Sequence, residues 1–233
     1  MPISTRSRAH LIGFSLVFWA FYGFHPLLSE ANNPIAARTR LHEAAAHGDM
    51  EIINIILEKE KDVDIDAADM DGRTALHEAT IAGYIEIMKL LLEKKANIEE
   101  PSYSGKRALH WAVVTDQKEA EQLLIEKGAN IEAGDMLGYT PLHLAVDAQY
   151  LDMVDLLISQ KANIQATSTD KITPLHLAAR RNNPALIKRL LEAGADPQAE
   201  DIHEKNPLDY LNENATPDPD AVRLLTLHVK EVK

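Results

Sequence analysis

Cysteine is absent from the 233 residues, which excludes a disulfide scaffold, thiol catalysis and zinc–thiolate sites. Stability has to come from packing. Aromatic side chains are scarce, at 5%, and unevenly placed: all four Phe residues (Phe14, Phe18, Phe21, Phe24) and one of the two Trp residues (Trp19) lie in the first 24 positions. Basic charge is also short, 24 Lys and Arg against 36 Asp and Glu, for a formal net charge of −12. An acidic chain repels phosphate, and no basic patch of useful size offsets the total, so nucleic acid and anionic membrane surfaces are not expected partners. There is no P-loop, no dinucleotide-binding glycine motif and no Gly-x-Ser-x-Gly elbow. With no constellation of acid, base and nucleophile in view, neither an enzyme nor a cofactor nor a small-molecule substrate is expected.

What is present divides into two objects. The first opens with Arg6 and Arg8, runs uncharged from Leu11 to Phe24, passes Pro26 and reaches the small-x-small triplet Ser29-Glu30-Ala31. That order predicts a secretory signal peptide over residues 1–31, and hence an exported protein, periplasmic or secreted. The alternative is an uncleaved single-pass anchor around residues 11–28, because Ala9 to Ser29 carries no Lys, Arg, Asp or Glu and approaches a spanning length. Without residues 1–31, which hold Arg6, Arg8 and Glu30, the formal charge becomes −13. Residues 32–38 read as a linker.

The second object is periodic. A histidine follows a leucine at Leu41-His42, Leu76-His77, Leu109-His110, Leu142-His143 and Leu175-His176, at intervals of 35, 33, 33 and 33. One more step of 33 reaches Leu208-Asp209, so the register continues with the histidine replaced. In each unit small or branched residues follow three and four positions after the Leu, as with Ala44 and Ala45 or Ala145 and Val146, giving one narrow apolar stripe. A heavier aliphatic run comes next, such as Ile87, Met88, Leu90, Leu91 and Leu92. Thr74, Thr140-Pro141 and Thr173-Pro174 mark helix starts. Gly128 and Gly194 follow second helices, while Gly72, Gly105 and Gly138 stand two residues before the next start, where a tight turn needs positive φ.

Thr140-Pro141-Leu142-His143-Leu144-Ala145, Thr173-Pro174-Leu175-His176-Leu177-Ala178-Ala179 and Gly128-Ala129-Asn130-Ile131 resemble the signature of the ankyrin repeat. The resemblance runs from residue 39 to about 229. It implies an all-α repeat solenoid, an ankyrin-like stack of six helix-turn-helix units with β-hairpin fingers and a concave face, acting by binding another protein. The expected units are 39–73, 74–106, 107–139, 140–172, 173–205 and a C-terminal capping repeat over 206–233. Thr216-Pro217-Asp218-Pro219 is inserted before a last helix expected from Ala221 to Val229. A capped stack offers no evident dimer surface, so a monomer is expected. In unit three Arg107 occupies the capping threonine's place and Asp116 a place often held by Gly. Loss of the cap costs about 1 kcal/mol; unit three is therefore expected to be the weak joint, and Arg107→Thr to raise the melting temperature.

Several motifs have blander readings that win. The periodic histidines cannot share a metal, since stacked helices lie roughly 8–10 Å apart and zinc–nitrogen bonds are about 2 Å; the resemblance gives them a role in tying turn to helix. His42 and His47 flank a Glu, but five residues apart they diverge by roughly 140° around a helix. Asp69, Asp71, Gly72 and Glu78 match part of a calcium loop, yet its first position would be Ala67 and the register needs Glu78 in a helix. Asn214-Ala215-Thr216 is a formal glycosylation sequon and a common chance match.

The surface left free by the framework, as the resemblance implies it, holds finger-tip and first-helix residues. They are Met70, Asp71, Arg73 and Ile81 in one unit; Tyr103, Ser104, Lys106 and Val114 in the next. Met136, Leu137, Tyr139 and Asp147 follow, then Thr169, Asp170, Ile172, Arg180 and Arg181. The middle fingers are unusually apolar for solvated turns, so the strip from Tyr103 to Tyr139 is the expected hot spot, with Arg73, Lys106 and Arg180 around it. Trp111, beside His110, is expected in the core.

Overall fold

In a computed structural model, residues 34–59 and 63–231 are described, and the expected signal or anchor segment lies outside them. The first helix, α1, spans Pro34–His47. Residues 34–38, read above as linker, are therefore helical. Pro34 at the start fits this, since a proline ring holds φ at the helical value and needs no partner for an N–H it lacks.

Twelve helices occur among the described residues, in short pairs. After α1 come α2 (Met50–Lys59), α3 (Ala75–Ala82), α4 (Ile85–Glu93), α5 (Ala108–Val114), α6 (Lys118–Glu126) and α7 (Pro141–Asp147). They are followed by α8 (Leu151–Ser159), α9 (Pro174–Arg180), α10 (Pro184–Glu192), α11 (Pro207–Asn212) and α12 (Pro219–Glu231). The closing helix thus begins two residues earlier and ends two later than expected, because Pro219 opens it instead of preceding it. First helices pack on one another from α1 through α3, α5, α7 and α9 to α11, and the second helices form another layer. Ala44, Ala79, Ala112, Ala145 and Ala178, all at most 3% exposed, line the inner seam, where the lack of a long side chain lets neighbouring helices approach. The outer layer buries Ile53, Met88, Leu124, Val154 and Ile187 instead. Among the described residues no helix is long and apolar enough to cross a membrane.

The periodic histidine explains how one pair grips the next. His143 is fully buried; its Nδ1 accepts the Thr140 backbone N–H at 3.2 Å, and its Nε2 lies 2.9 Å from the Ile172 carbonyl oxygen at the base of the following turn. Nε2 reaches the equivalent carbonyl from His42 (Arg73, 2.9 Å), His110 (Tyr139, 3.1 Å) and His176 (Lys205, 3.0 Å). His77 departs from the pattern: Nδ1 takes the Thr74 N–H at 2.9 Å, but its Nε2 makes no such bond. Burial pushes the imidazoles of His77, His110 and His143 down to about 4, and that of His176 downward as well. They are neutral at pH 7, with Nδ1 as acceptor and Nε2 as donor. Asp209 performs the first half of this task in α11, accepting the Asn206 N–H at 2.9 Å. Among the described residues no further turn follows, so the second half has no carbonyl to serve.

A second tie runs along the other edge. Asp66, Glu99 and Glu132 each accept, at 2.7 Å, the backbone N–H of an asparagine 31 residues on: Asn97, Asn130 and Asn163. Gln165, next in the series, donates its side-chain amide to the Gly194 carbonyl at 3.0 Å.

Candidate protein-binding surface

The connections between pairs are hydrogen-bonded turns, and no strand occurs among the described residues, so the expected β-hairpin fingers are shorter objects than their name implies. Each is closed by two backbone bonds, such as Asp135 N–H to Tyr139 O at 3.0 Å and Gly138 N–H to Asp135 O at 2.8 Å. One oxygen inside the turn satisfies two more N–H groups. Asp135 Oδ1 accepts from Leu137 and Tyr139 at 2.9 and 3.0 Å, Ser168 Oγ from Asp170 and Ile172 at 3.2 and 3.1 Å, and Asp201 Oδ1 from His203 and Lys205 at 2.8 and 2.9 Å. These buried polar residues, with Ser102 and Asp69, recur every 33 positions, a signal the histidine series overshadowed.

Successive turns are joined by single backbone bonds: Tyr103 N–H to Asp71 O, Met136 N–H to Ser104 O, Thr169 N–H to Leu137 O, and Ile202 N–H to Asp170 O, at 2.9 to 3.1 Å. The residue that donates has its side chain thrown outward, and Met70 holds the same place in the first turn. Met70 is 96% exposed, Tyr103 69%, Met136 70% and Ile202 50%, with Leu137 beside them at 59%. Four of the five positions in this row are large apolar residues. Ile202 was missed in the sequence, although it lies at the same step of 33 from Thr169.

The other expected contact residues divide. Val114 is exposed and Ile81 half-buried. Ile172 is 6% exposed and belongs to the core, because the turn's closing residue points down onto α9 and its neighbours; it is removed from the surface. Tyr139, one turn earlier in the same register, is likewise half-buried, packed against the core with its ring centroid 5.5 Å from that of His143, and the hot spot loses that end. Lys106 is committed to the buried carboxylate of Asp135 at 3.1 Å. Arg73 bridges Asp71 at 2.8 Å and Glu78 at 3.1 Å, and its guanidinium lies 5.1 Å over the ring of Trp111. Trp111 is thus only partly in the core, half-buried beneath a cation. The same pairs occupy the carboxylates of the partial calcium motif, and Asp69 turns its oxygen inward.

Arg180 and Arg181 converge on Asp147, with Nη2 of Arg180 at 2.9 Å and Nε and Nη2 of Arg181 at 3.0 and 2.8 Å. Burial pushes the Asp147 carboxyl up, but the hydrogen bonds from the two arginines outweigh it and hold it below the usual carboxylate range. Asp170 stays exposed at the tip. The surface is therefore apolar along its row of tips and carries charges that are largely paired with one another. Among the described residues no three His, Asp or Glu side chains are grouped to hold a metal ion.

A family model described as ankyrin repeats (three copies) matches residues 16–102, 41–135, 99–170 and 132–201. No curated protein matches. Among solved structures, the chain is similar to one from a complex described as a predatory endopeptidase from Bdellovibrio bacteriovorus with an immunity protein. Identity is 31%, the match covers 81% of this chain and 97% of that one, and the TM-score is 0.70. With repeated matches across most of its length and a neighbour of this likeness, the chain belongs to the ankyrin repeat family.

Proposed function

We propose that this chain is an exported, non-catalytic binding module of six stacked units that docks a partner protein along its row of finger tips. Members of the family generally bind proteins and do not catalyse reactions. The observation that carries the reading is the row itself: Met70, Tyr103, Met136 and Ile202 hold one position in four of five successive turns and are half or more exposed, where a turn with no partner would carry polar residues. Large, semi-rigid apolar anchors of this kind concentrate binding energy. The similar chain comes from an assembly of an endopeptidase with an immunity protein, which favours an exported hydrolase as the partner. The alternative keeps residues 11–28 as an anchor, making a membrane-tethered scaffold with the same binding row. N-terminal sequencing of the mature protein separates the two, since a start at Asn32 ends the anchor model.

The test uses the full chain as bait, identifies the captured protein, and measures its affinity for wild type and for Tyr103→Ala/Met136→Ala. Both side chains are exposed, so the variant keeps its fold. A loss of affinity of about tenfold or more is expected. An unchanged affinity would remove the finger tips from the interface.

A further inference from the structure

Glu121 breaks the register of the outer helices. Steps of 33 from it give Met88, Val154 and Ile187, each at 0% exposure. Glu121 is buried to the same extent, and neither of its carboxylate oxygens has a hydrogen-bond partner. Such a group is costly in a core and calls for a reason.

Two further features meet at this point. Buried side chains form two clusters, one running from Leu41 to Ala129 and the other from Val113 to Leu225. In the outer layer the division falls between α6 and α8, bridged only by side chains that are not fully buried, such as Ile125 and Ile131. A crevice of about 120 Å³ opens between the same two helices, lined by Lys118, Glu121 and Gln122 on one side and Asp152, Met153 and Leu156 on the other. We infer that this seam is a proton-gated joint: with Glu121 protonated the two halves of the stack pack closed, and ionisation of its carboxyl loosens them there.

The surrounding charges leave Glu121 without a counterion. Lys118, on the same helix, is held by Asp152 of α8 at 2.5 Å across the mouth of the crevice. Asp116 and Glu119 add negative charge on the near side. Asp155 of α8 pairs with Arg189 at 3.1 Å, and α4 brings Glu86 paired with Lys89 at 2.7 Å, together with Glu93. From α5 the only titratable side chain is His110, which is neutral. Burial pushes Glu121 up to about 8, Asp116 pushes the same way, and Lys118 opposes them. The unfolded chain releases this proton near the ordinary value of 4.5, so the folded state holds the extra proton between the two values. Its stabilising contribution is complete below that ordinary value and is lost as pH rises through about 8. The turn carrying Met136 and Leu137 connects α6 to α7 at this seam, so loosening alters the spacing between Tyr103 and Met136.

The full chain and two variants, Glu121→Gln and Glu121→Met, test the joint; Met is the residue this register position already carries at Met88. The wild-type melting temperature should fall by roughly 2–4 °C between pH 7 and pH 9, a range that lies above the histidine titrations, and in both variants that fall should disappear. The absence of native cysteine allows spin labels at Lys94→Cys with Gln160→Cys, straddling the seam, and at Gln160→Cys with Glu192→Cys as a control. The straddling distance should broaden at pH 9 in wild type, but not in Glu121→Gln and not in the control pair. A flat wild-type profile, a slope that survives in Glu121→Gln, or equal broadening of both pairs would overturn the proposal.

Discussion

The backbone enters the left-handed region once in every turn, at Gly72, Gly105, Gly138, Lys171 and Glu204, with φ of 75, 74, 76, 57 and 60°. The first three are glycine for two reasons. A Cβ at Gly105 would also come within 2.6 Å of the Met136 backbone nitrogen, so the turns could not stack. The last two carry a side chain in a conformation that costs an L-residue about 1–2 kcal/mol. Lys171→Gly should therefore stabilise the fold by about 0.5–1 kcal/mol, after the greater freedom of glycine in the unfolded chain is subtracted. Urea unfolding measures this directly, and a loss of stability would show that the lysine side chain compensates. The glycines were visible as turn markers in the sequence. That Lys171 and Glu204 adopt the same backbone was not, because neither residue type advertises a positive φ.

At the scale of a helix pair, the sequence makes Arg107 a missing cap, and α5 indeed begins without a side-chain acceptor. The arginine nonetheless has employment. Its Nη1 donates to the Gly134 carbonyl at 3.1 Å, and its Nε lies 3.1 Å from Glu99 Oε2. Both contacts reach other turns, 27 and 8 residues away. Arg107→Thr gains a cap worth about 1 kcal/mol and loses one hydrogen bond and a partly exposed ion pair, together of similar size. The expected change in unfolding free energy is within about 0.5 kcal/mol of zero, smaller than the sequence alone suggested. A gain of the full capping increment in a urea titration would mean that the cross-turn contacts contribute nothing. Helix starts and stops were legible because Thr, Pro and Gly act locally, within three or four residues. The contacts of Arg107 and the burial of Ile172 and Tyr139 were not, because they depend on which way a turn folds over its neighbour.

Across the whole molecule, two titrations pull in opposite directions. His77, His110 and His143 have folded values near 4, against an ordinary 6.5. The stability they carry is complete above that ordinary value and is lost as pH falls through about 4. Three histidines outweigh the single Glu121 where the windows overlap, so stability should peak between about pH 6 and 7 and decline on both sides. The acid limb is checked by the urea midpoint, which should drop between pH 7 and pH 5; a constant midpoint would contradict neutral burial of the rings. The stack and its period could be read from spacing alone, since one histidine per unit performs one repeated task. The binding row was only half legible: exposure of Met70, Tyr103, Met136 and Leu137 followed from their place in turns, whereas the pairing of Arg73, Lys106, Arg180 and Arg181 depends on how side chains of folded turns and adjoining repeats meet.

The rungs from Asp66, Glu99 and Glu132 to the asparagine amides beyond them each join one storey to the next and to no other. A lesion in such a chain has nowhere distant to travel. Injury to one storey weakens the floors directly above and below it while the rest stand, so tolerance to mutation should vary along the molecule in steps of one repeat.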